Sequence, residues 1–63
     1  MGFRVREIRM SQGMTQTDLA KKAKITRATL WRVERDEEYD PSVNTLKRIA
    51  DALNVTLSDL ILP

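Results

Sequence analysis

The chain has 63 residues, a net charge of +2, and neither cysteine nor histidine, so we expect residues 1–63 to form one small domain. Disulfides and thiolate zinc sites are excluded and the usual general base is missing, so we expect no enzyme, metal or cofactor. No apolar run reaches the ~20 residues of a membrane span and no signal peptide opens the chain, which predicts a soluble, cytoplasmic protein.

The charges divide unevenly along the sequence. Residues 1–35 carry nine basic and three acidic groups, a net of +6, whereas residues 36–63 carry two basic and six acidic groups, a net of −4. This asymmetry favours an anionic partner on one side only, although an ordinary solvated surface can have the same composition.

Amphipathic segments that follow capping residues or turns predict five helices and no strand. Thr15, Thr26, Ser42 and Thr56 precede apolar stripes at helical spacing, as N-cap residues do. An aspartate follows Thr15 and Thr56 three residues later, which is the pattern of a capping box. The predicted helices span residues 3–12, 15–23, 26–35, 42–53 and 56–61.

The same pattern sets the expected turns and core. Gly13 and Asn54 are the expected left-handed terminators of the first and fourth helices. The acidic segment 36–41, which ends in proline, predicts a loop. The apolar residues expected on the buried faces are Phe3, Val5, Ile8, Leu19, Ala20, Ala23, Leu30, Val33, Val43, Leu46, Ile49, Ala50 and Leu53.

Residues 15–35 have the spacing of a helix-turn-helix unit, which consists of a short helix, a tight turn and a second helix. Ala20 lies in the middle of the inner face of the first of these helices, where two steeply crossing helices need a small side chain. Any tight helical hairpin has similar spacing. The residues on the outer face of the second helix therefore have to distinguish DNA binding from a purely structural hairpin.

That outer face is cationic and partly aromatic. With Leu30 and Val33 directed inward, a rotation of 100° per residue defines the exposed side. Its residues are Ala28, Trp31, Arg32 and Arg35, and Arg27 lies on its flank near the N-terminus of the helix. Arginine can bind guanine O6 and N7 through two hydrogen bonds, and alanine or an aromatic ring can contact the thymine methyl group. The alternatives are solvated arginines and a Trp31 that packs on Tyr39 of the following loop.

The order of these residues resembles the Cro and phage-repressor type of helix-turn-helix protein, the xenobiotic-response-element family. The resemblance is carried by residues 14–23 (MTQTDLAKKA), 25–34 (ITRATLWRVE), 41–46 (PSVNTL) and 52–60 (ALNVTLSDL). It covers nearly the whole chain. It implies an all-α, compact, five-helix, lambda-repressor-like DNA-binding domain with the helix-turn-helix at residues 15–35.

The resemblance also implies roles for the matched residues. The expected base-reading residues in the major groove are Arg27, Ala28, Trp31 and Arg32. The expected phosphate contacts are Gln16, Thr26, Arg35, Tyr39 and Ser42. Arg9 and Glu34 correspond to a buried ion pair that joins the first and third helices of the family; the alternative is a loose surface pair that contributes little.

Two positions and one loop depart from the family pattern. Lys24 occupies a position where the family usually has glycine, so we expect a lysine at positive φ at a cost of roughly 1 kcal/mol. Asp36 replaces another usual glycine. The loop 36–40 is acidic, so repulsion from phosphate should turn it away from DNA, or leave only Tyr39 and Ser42 in contact.

The implied function is that of a sequence-specific regulator of transcription that binds double-stranded DNA. We favour a homodimeric repressor on a palindromic operator. The second helix of the helix-turn-helix unit, the recognition helix, by itself gives only a small interface with DNA. The expected dimer interface is Leu57, Ile61 and Leu62. The alternative is an antitoxin-like protein-interaction module that binds DNA secondarily. We expect no membrane partner, no small-molecule effector, and a prokaryotic or phage-encoded, nucleoid-associated protein.

Overall fold

A computed structural model describes residues 3–61 of the chain. Within that range the backbone forms α1 (Val5–Ser11), α2 (Gln16–Ala23), α3 (Arg27–Arg35), α4 (Val43–Leu53) and α5 (Leu57–Leu60). The predicted all-α architecture of five helices is confirmed, and each helix begins and ends within two residues of its predicted bounds. None of these helices has the length and apolar character needed to cross a membrane.

Capping boxes explain where α2 and α5 begin. The hydroxyl oxygens of Thr15 and Thr56 accept the backbone N–H groups of Asp18 and Asp59 at 3.0 and 3.3 Å. Each aspartate in turn accepts the N–H of its threonine, at 3.1 and 3.0 Å. The backbone N–H of each threonine, and to a smaller extent its side chain, lowers the pKa of the carboxyl group that it contacts. The aspartate side chain, although shorter than the usual glutamate, therefore completes the capping boxes of α2 and α5.

Left-handed residues end three of the helical segments. Gly13, Lys24 and Asn54 have φ values of 69°, 59° and 58°, which confirms the two predicted terminators and the expected conformation of Lys24. The carbonyl oxygen of Lys24 accepts a hydrogen bond from Arg48 Nη1 at 3.2 Å, which ties the turn between α2 and α3 to α4. Asp36, in contrast, has a φ of −91° and an extended backbone, so this position does not require glycine.

The core lies around α2 and α4, against which α3 and α5 pack. Its fully buried side chains are Val5, Leu19, Leu30, Ile49, Leu53 and Leu60. The prediction for Val43 is wrong: its side chain is 61% exposed, because it lies in the first turn of α4 and the buried stripe begins at Leu46. Ala52 is buried but was not predicted. Phe3 and Ile8 are only partly buried against this core.

A backbone pairing that the sequence did not predict joins the two ends of the described chain. Phe3 and Ile61 form an isolated antiparallel bridge, and the N–H of Arg4 donates to the carbonyl oxygen of Leu60 at 2.8 Å. The bridge consists of one residue pair and is not a strand. Because Ile61 takes part in it with an extended backbone, α5 ends at Leu60, one residue before the predicted end.

Candidate nucleic-acid interface

The outer face of α3 is exposed along the helix. Thr26 fixes the start of the helix, because its hydroxyl oxygen accepts the N–H of Thr29 at 3.0 Å. Leu30 and Val33 are buried on the opposite side. The four residues that the helical wheel places on this side, Ala28, Trp31, Arg32 and Arg35, are exposed, and so is Arg27 on its flank. Trp31 is 49% exposed, an unusual exposure for so large an apolar ring.

An open groove borders this face where α1 and the start of α2 approach α3. Arginine side chains from α1 and α3 line it: Arg6, Arg9, Arg27 and Arg35. Its apolar wall includes Met10, which is 56% exposed, and Trp31. Sequence reasoning missed Arg6 and Met10, because α1 was interpreted only as a core helix. Their spacing of four residues, which places them on one side of a helix, was the available signal.

A buried hydrogen-bond network supports this face from beneath. Glu34 is fully buried as a side chain, and its two carboxylate oxygens accept hydrogen bonds from Arg9 Nε at 2.8 Å and Nη2 at 3.1 Å. Arg9 Nη1 donates to the carbonyl oxygen of Met14 at 2.8 Å. The ion pair suggested by the resemblance is thus present, and its burial rules out a loose surface pair.

Gln16 joins the same network at the first turn of α2. Its Nε2 atom donates to Glu34 Oε1 at 3.2 Å, which holds the side chain between α2 and α3. A glutamine amide has two N–H donors and a carbonyl oxygen. The bond to Glu34 uses one donor, so a second donor and the oxygen are left for an external group.

Arg32 is held by the loop that follows α3. Its guanidinium carbon lies 4.4 Å from the centroid of the Tyr39 ring, and its Nε atom lies 3.7 Å from Asp36 Oδ2. The ring of Tyr39 therefore faces the guanidinium group of Arg32. Half of the Arg32 side chain stays exposed, so the guanidinium is accessible from outside.

The residues expected to contact phosphate lie at the start of α2, at both ends of α3 and in the segment that leads into α4. Gln16 and Thr26 lie at or near the starts of α2 and α3. Arg35 ends α3, Tyr39 follows in the loop, and Ser42 caps α4 by accepting the N–H of Thr45 at 3.1 Å. The contacts themselves stay predictions.

The expected dimer interface is reduced to one exposed side chain among the described residues. Leu57 is partly buried against the core. Ile61 is 43% exposed at the end of the described chain. Leu62, the third residue of the predicted interface, lies outside the described residues.

The chemistry of the face is that of anion and base-edge binding. It offers guanidinium and amide donors beside an indole ring and a methyl group. No cluster of three or more potential metal ligands occurs in residues 3–61. A short helix, a turn centred on Lys24 and a second helix with an exposed cationic face together define a helix-turn-helix DNA-binding protein.

Comparison with known families agrees with this class. The family model described as Helix-turn-helix matches residues 5–60, which is most of the chain. The protein belongs to the Cro and phage-repressor type of helix-turn-helix DNA-binding proteins.

Two solved structures and one curated protein illustrate the relationship. The immunity repressor protein of Bacillus phage phi105 is 39% identical over 61 residues, which are 97% of this chain and 42% of that protein. The restriction-modification controller protein C.AhdI from Aeromonas hydrophila has a TM-score of 0.83 at 28% identity, covering 89% of this chain and 83% of its own. SinR, the master regulator for biofilm formation, in complex with DNA, has a TM-score of 0.81 at 27% identity and 87% coverage of each chain. The chain thus spans less than half of the phage repressor's length.

Proposed function

We propose that this protein is a sequence-specific regulator of transcription, acting as a repressor, with residues 1–63 as its DNA-binding domain. The observation that carries the proposal is the exposed row of Arg27, Ala28, Trp31 and Arg32 on α3, a helix whose opposite side is buried. The major groove of B-DNA admits an α-helix. A relative named as an immunity repressor and a structural neighbour in complex with DNA support the same function.

Base reading is assigned to the long donors of this face. Arg27 and Arg32 would each bind a guanine through two hydrogen bonds, while Ala28 and Trp31 would contact thymine methyl groups. Arginines outside α3 would add attraction for phosphate. Arg6 of α1 is the clearest case, because it lines the protein groove that borders the exposed face of α3. Such contacts make affinity fall with salt without contributing sequence preference.

The network around Glu34 would position phosphate contacts rather than read bases. Gln16 is fixed at the start of α2 by its bond to Glu34, and its free amide groups point to a phosphate role. The DNA backbone would be held on either side of α3 by four further residues: Thr26, Arg35, Tyr39 and Ser42. Phosphate contacts of this kind set the register of a protein on the duplex.

We propose further that two copies bind a palindromic operator. A recognition helix of nine residues buries little surface, and a two-fold dimer gains affinity from two half-sites about 34 Å apart. The exposed Ile61 supports the C-terminal end as the contact between copies. Bacterial and phage relatives support a site of action on the DNA of the cytoplasmic nucleoid.

Selection of bound sequences from random duplex DNA tests both proposals. We expect an inverted repeat with half-site centres about one helical turn apart, and two protein copies per enriched duplex in sedimentation. The Arg27→Ala/Arg32→Ala double variant should enrich no motif. Lys22→Ala is the matched control, because Lys22 lines a different part of the surface near Arg48 and Asp51, and it should enrich the same motif.

Two results would contradict the proposals separately. A selected pool no different from the starting pool would refute sequence-specific binding. A motif without a repeat, bound by one copy, would refute the palindromic dimer and leave DNA recognition intact.

A further inference from the structure

The acidic loop after α3 provides two neighbours for one exposed side chain of that helix, Arg32. The Tyr39 ring lies under the guanidinium, 4.4 Å from its central carbon, and Asp36 Oδ2 lies 3.7 Å from Nε. The latter distance is too long for a hydrogen bond. Both neighbours therefore orient the guanidinium by electrostatic attraction while its five N–H donors stay available for a partner.

The loop that supplies these neighbours is itself well ordered by local bonds. Asp36 Oδ1 accepts the N–H of Glu38 at 3.1 Å, and the carbonyl oxygen of Asp36 accepts the N–H of Tyr39 at 3.0 Å. The Tyr39 ring is partly buried against the core. One carboxylate thus shapes the turn with one oxygen and faces Arg32 with the other, so the arrangement around Arg32 is present without DNA.

We propose that Tyr39 and Asp36 are positioning residues that determine how sharply the protein discriminates at the base pair read by Arg32. The inference rests on the proposed function, in which Arg32 reads a base. A free arginine side chain loses rotamer freedom when it binds, and that loss weakens both reading and affinity. A guanidinium already held over the Tyr39 ring has less freedom to lose. This gives the acidic loop a role at the interface in spite of its repulsion from phosphate.

Tyr39 has a competing role that a conservative variant separates. The phosphate contact proposed for Tyr39 would use the hydroxyl group, whereas the positioning role uses the ring. Tyr39→Phe keeps the ring and removes the hydroxyl. Tyr39→Leu removes both. Asp36→Asn keeps the oxygen that accepts the N–H of Glu38 and removes the charge beside Arg32.

The experiment measures affinity for the selected duplex, for each of its single base-pair variants and for a scrambled duplex. Arg32→Ala first identifies the base pair at which discrimination is lost. At that base pair Tyr39→Leu should reduce discrimination by about three- to fivefold, Tyr39→Phe should leave it unchanged, and Asp36→Asn should reduce it by about twofold. In the Arg32→Ala background, neither Tyr39→Leu nor Asp36→Asn should reduce it further.

The charge variants give a readout that a purely structural role would not change. Asp36→Asn should raise affinity for the scrambled duplex while it lowers discrimination. Glu37→Gln, an exposed neighbour in the same loop, is the matched control and should raise affinity without changing discrimination. Thermal unfolding of every variant shows which ones are folded at the assay temperature. If Tyr39→Leu is not folded, Asp36→Asn and Glu37→Gln carry the test.

Three results would overturn the inference. Equal losses of affinity for Tyr39→Phe and Tyr39→Leu on all duplexes, with discrimination kept, would limit Tyr39 to a phosphate contact. Unchanged discrimination in Asp36→Asn and in folded Tyr39→Leu would leave Arg32 independent of the loop. Unchanged discrimination in Arg32→Ala would show that Arg32 reads no base, so that Tyr39 and Asp36 have no base-reading side chain to position. An enriched motif would in that case still support the proposed function. If no motif is enriched, the proposed function fails as well.

Discussion

Removal of Glu34 should destabilise the protein more than any surface substitution of equal size. The buried carboxylate accepts two hydrogen bonds from Arg9 and one from Gln16. Glu34→Ala would leave the guanidinium of Arg9, whose side chain is only 11% exposed, with the Met14 carbonyl oxygen as its described partner. A charge stranded in this way costs about 3–5 kcal/mol.

That cost is a large part of the stability of a chain of this length. A domain of 63 residues has a free energy of unfolding on the order of 3–9 kcal/mol, so Glu34→Ala should lose about a third or more of it. Glu34→Gln keeps one oxygen acceptor and should lose less. The double variant Arg9→Met/Glu34→Leu should recover most of the loss, because it removes both charges and leaves neither unpaired.

Urea unfolding followed by circular dichroism measures these differences. Glu7→Ala is the matched control, since Glu7 forms an ion pair with Arg4 at 3.3 Å on the surface, where their side chains are 68% and 40% exposed. Its loss should be under about 1 kcal/mol. If Glu34→Ala also loses less than about 1 kcal/mol, the buried pair does not hold α1 and α3 together and the reasoning is refuted.

Three further predictions concern a cap, a turn and the dimer. Stability should fall as the pH drops below about 4, because the backbone N–H of Thr15 lowers the folded-state pKa of Asp18 and this contribution is lost as the pH falls through that pKa. The urea concentration at the midpoint of unfolding should therefore decrease in acid, and an equal decrease in Asp18→Asn would contradict the prediction. Lys24→Gly should gain up to about 1 kcal/mol and Asn54→Gly less, since asparagine tolerates positive φ; a loss in Lys24→Gly would argue against strain. Ile61→Asp should sediment as a monomer at concentrations where the unaltered protein is a dimer; a dimeric variant would place the interface elsewhere.

Helix boundaries were predictable because their signals are local. Thr15 and Thr26 need only a neighbouring N–H group to end the preceding turn and begin a helix, and the structure places their helices one residue after each cap. The buried stripe of α4 was equally visible, apart from Val43, which is exposed, and Ala52, which is buried. A helix-period pattern cannot show that the first turn of α4 extends beyond the core, because that depends on how the helix is docked.

Contacts between distant segments were not predictable from periodicity. Arg9 and Glu34 are separated by 25 positions, and the family resemblance, not a pattern in the chain, pointed to their pairing. Arg32 and Asp36 have a visible spacing of four. Tyr39, however, reaches Arg32 only because the turn at Asp36 folds the loop back. The pairing of Phe3 with Ile61 is a single bridge, too short to leave a pattern.

The most direct test of sequence reading by α3 is a set of titrations of Arg27→Ala, Arg32→Ala and Lys22→Ala on the selected and scrambled duplexes at several salt concentrations. Each arginine variant should lose about 1–3 kcal/mol of discrimination at one base pair. Lys22→Ala should change both duplexes alike and lower the salt slope by about one unit or less. If both arginine variants keep the full specificity ratio, α3 is not the reader, and the acidic loop and the C-terminal end become the leading functional surface.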